Sequence, residues 1–295
     1  MRAKIASLVL ATLLTALAGC TLNQQGLRNE GLIPQIGGNE VVAPKRCVLR
    51  VMVASQPQES AALGELVWRV ADEQAIDAET RHVLQANGLR IGRISSELPT
   101  EVQAVLAGPP PKKKVEAQTV VLPEGEHTLL DPTTSPSSSL SLILGQKDKA
   151  VGKVYQDARG FIRLSASFEG DDAVSLRITP ELHHGPVQRG WGVAGGSTPM
   201  SPQQLITRNG QQEENFRDMA CTLTLKPGQL VVLGGRHDKR GSLGDFLFGE
   251  PDSNSDRPVQ KVIFVWAGRS DSGNPEGQPP SGLVPIDPVG ETKAK

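Results

Sequence analysis

Aromatic residues make up only 3% of this 295-residue chain: one Tyr, three Trp and six Phe. That scarcity argues against the stacking platforms that hold unpaired bases and against the aromatic girdles of an outer-membrane barrel. An excess of positive charge is missing too, since 31 Lys and Arg face 32 Asp and Glu for a formal net charge of −1. A nucleic-acid partner is therefore not expected. The chain has no internal repeat, and its apolar run Ile5 to Ala16 is too short to cross a bilayer as a helix. No serine lies in a nucleophile elbow, and no cysteine has a histidine beside it in sequence. An enzyme is not expected, and neither a cofactor nor a metal is implied by the pattern. The hydrophobic share of 38% is nonetheless enough for real cores.

What is present begins at the N-terminus. Arg2 and Lys4 precede the apolar run, and Leu17-Ala18-Gly19-Cys20 closes it. Residues 1–19 thus read as a signal peptide. The closing residues resemble the lipobox of bacterial lipoproteins. That resemblance implies a diacylglyceryl group on Cys20, which becomes the first residue of the mature chain. At about 0.8 kcal/mol per buried methylene, two or three acyl chains anchor a protein durably where one holds only marginally. Thr21 stands where an aspartate would signal retention in the inner membrane. The resemblance therefore implies an outer-membrane lipoprotein that faces the periplasm and has membrane lipid as its first partner.

The fold class expected is α+β, with a small N-terminal α/β domain followed by a mainly antiparallel β domain. Residues 20–40 are polar and aperiodic, as a flexible tether is. In 41–108, Cys47 to Ala54 alternates as a strand and Ala61 to Ala71 has helical spacing. Asp77 can cap a helix over Ala78 to Ala86, and Asn87-Gly88 can stop it before a strand from Leu89 to Ile94. Thr100 precedes a short helix from Glu101 to Ala107. The Pro- and Lys-rich segment 109–115 reads as a stiff linker, 116–270 as the β-rich domain, and 271–295 as a disordered tail. Strands are expected at 118–122, 127–131, 140–144, 160–168, 173–182, 220–225, 229–233 and 259–266, with 132–139 a polar loop.

Cys47 and Cys221 admit two readings. An exported setting permits a disulfide between them. Buried free thiols are the other reading, because Cys47 alternates with Leu49, Val51 and Val53, and Cys221 with Leu223 and Leu225. Gly190-Trp191-Gly192-Val193-Ala194-Gly195 fits the dinucleotide fingerprint, but Thr198-Pro199-Met200-Ser201-Pro202 follows where a helix should start, so a glycine-rich loop is expected. His183 and His184 are adjacent, hence on opposite faces of any strand, and read as solvated turn residues. The acid pairs Asp171-Asp172 and Glu213-Glu214 read as solvated loops.

The C-terminal half carries a second resemblance. Ile178-Thr179-Pro180-Glu181 ends one strand, and Gly228-Gln229 through Gly234-Gly235 follows the Lys226-Pro227 turn. Leu243-Gly244-Asp245 comes next, and Lys261 to Trp266 closes the series. Over residues 160 to 268 this resembles the C-terminal module of bacterial secretins, the outer-membrane channels of type II and III secretion and type IV pili. The resemblance implies a non-enzymatic structural or assembly protein of the envelope, pairing with copies of itself or with envelope-complex proteins. The charged run Arg236 to Arg240 departs from the pattern, and the low aromatic content implies that this version keeps the fold without forming a pore. The other reading is a periplasm-facing binding lipoprotein in which a loop from Pro186 to Gln212 covers a small-molecule or glycan pocket.

Overall fold

The computed structural model describes residues 45–270 except 58–61, 96, 108–113, 134, 147–148, 195–203, 237 and 252–257. In chain order the elements are β1 (Arg46–Pro57), α1 (Ala62–Val70), α2 (Ala78–Ala86), β2 (Leu89–Ile94), α3 (Thr100–Ala107), β3 (Lys114–Pro123) and β4 (His127–Leu130). They continue with β5 (Ser137–Gln146), β6 (Lys149–Glu169), β7 (Ala173–Ala194), β8 (Gln204–Asn215), β9 (Cys221–Leu225) and β10 (Leu230–Gly235). Last come α4 (Leu243–Phe248), β11 (Gly249–Pro251) and β12 (Pro258–Ser270). The chain is mostly antiparallel β with few helices.

Local chemistry explains where these elements start and stop. The Asp77 carboxylate accepts from the Thr80 N–H at 2.8 Å and caps α2. Gly88 then takes φ +72, the left-handed conformation that ends a helix at low steric cost. Ser242 accepts from the Asp245 N–H at 3.2 Å and caps α4. Between β9 and β10, Gly228 at φ +83 and a bond from the Gln229 N–H to the Lys226 carbonyl form the expected turn.

The strands form two sheets. The first runs β2-β10-β12-β1-β3, with β11 also on β12, and the second runs β4-β6-β7-β8, with β5 also on β6 and β9 also on β7. One face of the first sheet, carrying Cys47, Leu49, Val51, Val231, Leu233, Ile263 and Val265, shares a core with Ile162, Leu164, Leu176, Ile178 and Leu223 of the second. Its other face, with Met52, Val232, Val262 and Phe264, is covered by Leu63 and Val67 of α1 and Val102 and Leu106 of α3. The first sheet is therefore the middle layer. Every residue of β10 is buried for this reason, as are Lys261–Ala267 of β12.

This topology corrects the expected division into 41–108 and 116–270. β1 pairs with β12 and β3, and β2 pairs with β10, so the two strands of the first segment find their partners in the second. Alternating hydrophobicity tells which face of a strand is buried but not which strand lies beside it. Lys114 and Val115, expected in the 109–115 linker, open β3. The strands expected at 160–168 and 173–182 are also longer, at Lys149–Glu169 and Ala173–Ala194. Their added halves pair with β5 and β8, and Tyr155 and Ala158 of the β6 extension reach the core shared with Leu142 and Leu144 of β5. The expected loop 132–139 ends three residues early, where Ser137 begins β5. Residues 1–19, the tether 20–40 with Cys20, and the tail 271–295 lie outside the described residues.

Candidate functional site

The second sheet forks. β6 and β7 pair from Glu169↔Ala173 to Arg159↔His183; beyond that point β6 pairs with β5, and β7 pairs with β8. A register irregularity between His184 and Gln188 marks the same place on β7. The polar residues of the fork sort by strand alternation onto two faces.

On one face, Arg163 on β6 makes a two-pronged ion pair with Glu181 on β7, one bond being Nη2 to Oε2 at 3.0 Å. Glu181 is fully buried, so its charge depends on that partner. The Glu181 hydrogen bonds hold the Arg163 guanidinium more firmly protonated than usual. Arg163 Nη2 also lies 3.6 Å from the half-exposed Glu213 on β8. His183 is stacked at a tilt on Phe161, ring centres 4.4 Å apart, with its Nε2 3.7 Å from Glu181 Oε2. Arg159 pairs with Asp131 and lies over the Phe161 ring at 5.6 Å.

On the other face, Glu214 accepts from Lys153 at 2.6 Å and from the Tyr155 hydroxyl at 2.7 Å. Burial pushes the Glu214 carboxyl up, but those bonds outweigh it and leave the group below its ordinary range. Burial, and then Glu214, raise the Tyr155 hydroxyl. The Tyr155 ring meets His184 edge-on at 5.0 Å.

Several expectations change here. His183 and His184 are half-buried strand residues on opposite faces, because β7 runs on past them; they are not solvated turn residues. Glu213 and Glu214 lie on β8 with partners on β6, not in a loop. Asp171 and Asp172 do sit exposed in the β6–β7 turn. Gly190 to Ala194 end β7 as a strand paired with β8 rather than forming a glycine-rich loop, and Gly195 lies outside the described residues. The segment expected to cover a pocket, 186–212, is mostly the β7–β8 hairpin. Among the described residues a cleft of about 320 Å³ lies elsewhere, lined by Gly235, Arg236, Arg240, Asp245, Phe248 and Glu250. Arg236 there is paired with Asp238 at 2.8 Å.

Cys47 on β1 and Cys221 on β9 are free thiols in the structure, buried in the same core cluster, one on each sheet. Burial, with Glu124 adding, pushes the Cys47 thiol up to about 11; burial, with Asp77 adding, pushes Cys221 up to about 12. In the unfolded chain both ionise near pH ~8.5. Unfolding therefore releases protons above that pH, and stability falls as pH rises toward about 11. The melting temperature of the parent is expected to drop more between pH 8 and 10.5 than that of a Cys47→Ala/Cys221→Ala variant. Alkylation at pH 8 should modify both only after denaturation, read as a mass shift; labelling of the native protein contradicts the burial.

No family model matches this chain, and no curated protein matches it. Among solved structures it is similar to ExeD of Aeromonas hydrophila, at 8% identity and a TM-score of 0.24, over 77% of this chain and 49% of that one. It is also similar to the InvG secretin-domain β-barrel from Salmonella, at 10% identity and a TM-score of 0.23, over 80% and 66%. The type II secretion system secretin GspD of E. coli K12 matches at 10% identity and a TM-score of 0.20, over 77% and 48%. The chain thus spans about half the length of ExeD and GspD and 66% of the InvG chain. These neighbours are secretin domains, and the similarity to them is weak.

Proposed function

We propose that this chain is a lipid-anchored, non-enzymatic structural or assembly protein of the bacterial cell envelope, built around a secretin-like module. Cys20 holds it to the periplasmic face of the outer membrane. The observation that carries the reading is the order of the resembling segments, each falling where the fold needs those residue types. Pro180 and Glu181 are buried in β7. Gly228 takes φ +83. A Cβ on Gly235 would lie 2.7 Å from the Gly244 carbonyl oxygen, and one on Gly244 would lie 1.9 Å from that of Gly88. An assembly role gains support from β3, which ends the first sheet, exposes Glu116 to Thr119 and leaves Val121 48% exposed. A strand at a sheet edge is a template for pairing with another chain.

The full chain, extracted from membranes in mild detergent, is expected to show a mass of at least a dimer by light scattering, or to crosslink to an envelope protein. A strict monomer with no crosslinked partner overturns the assembly role. Cys20→Ser is expected to move the protein out of the membrane fraction. If that variant still sediments with membranes, the β module binds them itself and the lipid anchor leaves the reading.

A further inference from the structure

We propose that Glu181, His183 and Glu213 bind one divalent transition-metal ion of the zinc class at the root of the β7–β8 hairpin. Their ligand atoms, one imidazole nitrogen and two carboxylate oxygens, all lie within 4.8 Å of one another. Register produces the cluster: Glu181 and His183 are two residues apart on β7 and share a face, and Glu213 is the direct cross-strand partner of His183.

A second observation is independent of that proximity. The His183 Nε2 atom is buried and has no hydrogen-bond partner. Buried polar atoms are as a rule satisfied, so an orphaned imidazole nitrogen asks for a ligand. It points into the cluster, 3.7 Å from Glu181 Oε2.

Arg163 does not close the site. An ionised carboxylate offers about four lone-pair directions, and Arg163 takes one on each Glu181 oxygen. Oε2 keeps a direction for a metal, with the guanidinium in the outer-shell role that commonly orients metal-bound carboxylates. Two carboxylates against one guanidinium also leave a net negative charge that favours a dication. Glu213 is half exposed, and its carboxylate can swing toward the ion. One nitrogen and two oxygen donors suit zinc with a water in fourth place, whereas calcium and magnesium prefer all-oxygen sets. At zinc–ligand distances of about 2.0–2.2 Å, the three side chains need to close by on the order of 1 Å. The bound ion ties β8 to β7 at the last residues that β7 shares with β6, and so fixes the base of the hairpin.

Zinc titrated calorimetrically into the full chain tests this, with cobalt absorption in the visible as the spectroscopic readout. One equivalent is expected to bind. His183→Gln and Glu213→Gln should each weaken binding at least tenfold, while His127→Gln, at an exposed position on β4, should leave it unchanged. Glu213→Gln, at a half-exposed position, keeps the test independent of any folding defect in His183→Gln, and thermal melts of the metal-free variants check that each is folded. Absence of stoichiometric binding overturns the proposal. So does binding that both variants leave intact, which would place the ion elsewhere.

Discussion

Arg163→Met is expected to lower stability by about 3–5 kcal/mol, the cost of leaving a buried charge without its partner. Glu181 is the reason: its side chain is fully buried, and the guanidinium of Arg163 donates to both of its oxygens. With Met in place of Arg163, the Glu181 side chain is left buried without the hydrogen-bonding partner that offsets its desolvation. The melting temperature should fall by roughly 10 °C, since about 1 kcal/mol corresponds to about 2–4 °C in a chain of this size. The control is the double variant Arg163→Met/Glu181→Leu. Replacing a whole buried pair by apolar residues is commonly near neutral, so the double variant should regain most of the loss. A double variant no more stable than Arg163→Met would mean that the positions matter for shape rather than for charge. Urea titrations with unchanged slope are the measurement, because they separate stability from a change in the unfolded ensemble.

Asn87→Ala is expected to cost about 2–4 kcal/mol, from the loss of several buried hydrogen bonds at about 1–3 kcal/mol for each group left unsatisfied. The Asn87 amide nitrogen donates to the carbonyls of Val83 and Gly145, both at 2.8 Å, and its oxygen accepts from the Gly145 N–H at 2.9 Å. The side chain thereby pairs with the edge of β5 as another strand would. Its backbone works too: the Asn87 carbonyl accepts from the Gly244 N–H, and the Gly88 carbonyl from the Arg236 N–H. One turn thus joins α2, β5, β10 and α4. Asn87→Asp separates the roles, because it keeps the acceptor for Gly145 but loses both donors and buries a charge. Its deficit relative to the parent should be larger at pH 7 than at pH 4, because burial disfavours the ionised carboxyl. In Asn87→Ala the Gly145 amide should lose hydrogen-exchange protection ahead of the sheet around it. Uniform loss would point to global destabilisation instead.

Asn87 also shows how far local signals reach. Its place at the end of a helix is readable from Asn-Gly after an amphipathic run, and the cap at Asp77 and the turn at Lys226 to Gln229 are equally local. Nothing local tells that the same side chain meets Gly145, 58 residues away. The fork behaves likewise. The i, i+2 spacing of Glu181 and His183 on a strand places both on one face, and that signal lies in the sequence. Their meeting with Glu213 depends on the β7–β8 register, which includes an irregularity between His184 and Gln188. The extra halves of β6 and β7 show no regular apolar alternation to announce them, and their extent is set by pairing with β5 and β8.

Short-range features can be read from the residues alone: which residues cap helices, which glycines turn, and which face of each strand is apolar, as at Cys47, Leu49 and Val51 or Cys221, Leu223 and Leu225. Those are set within a few bonds by backbone sterics and side-chain chemistry. Tertiary packing puts Cys47 and Cys221 on different sheets and β1 beside β12. It also decided that Glu181, His183 and Glu213 come together across two strands. Strand pairing is chosen by the burial of whole faces against one another, a property of the assembled sheets that no single segment contains.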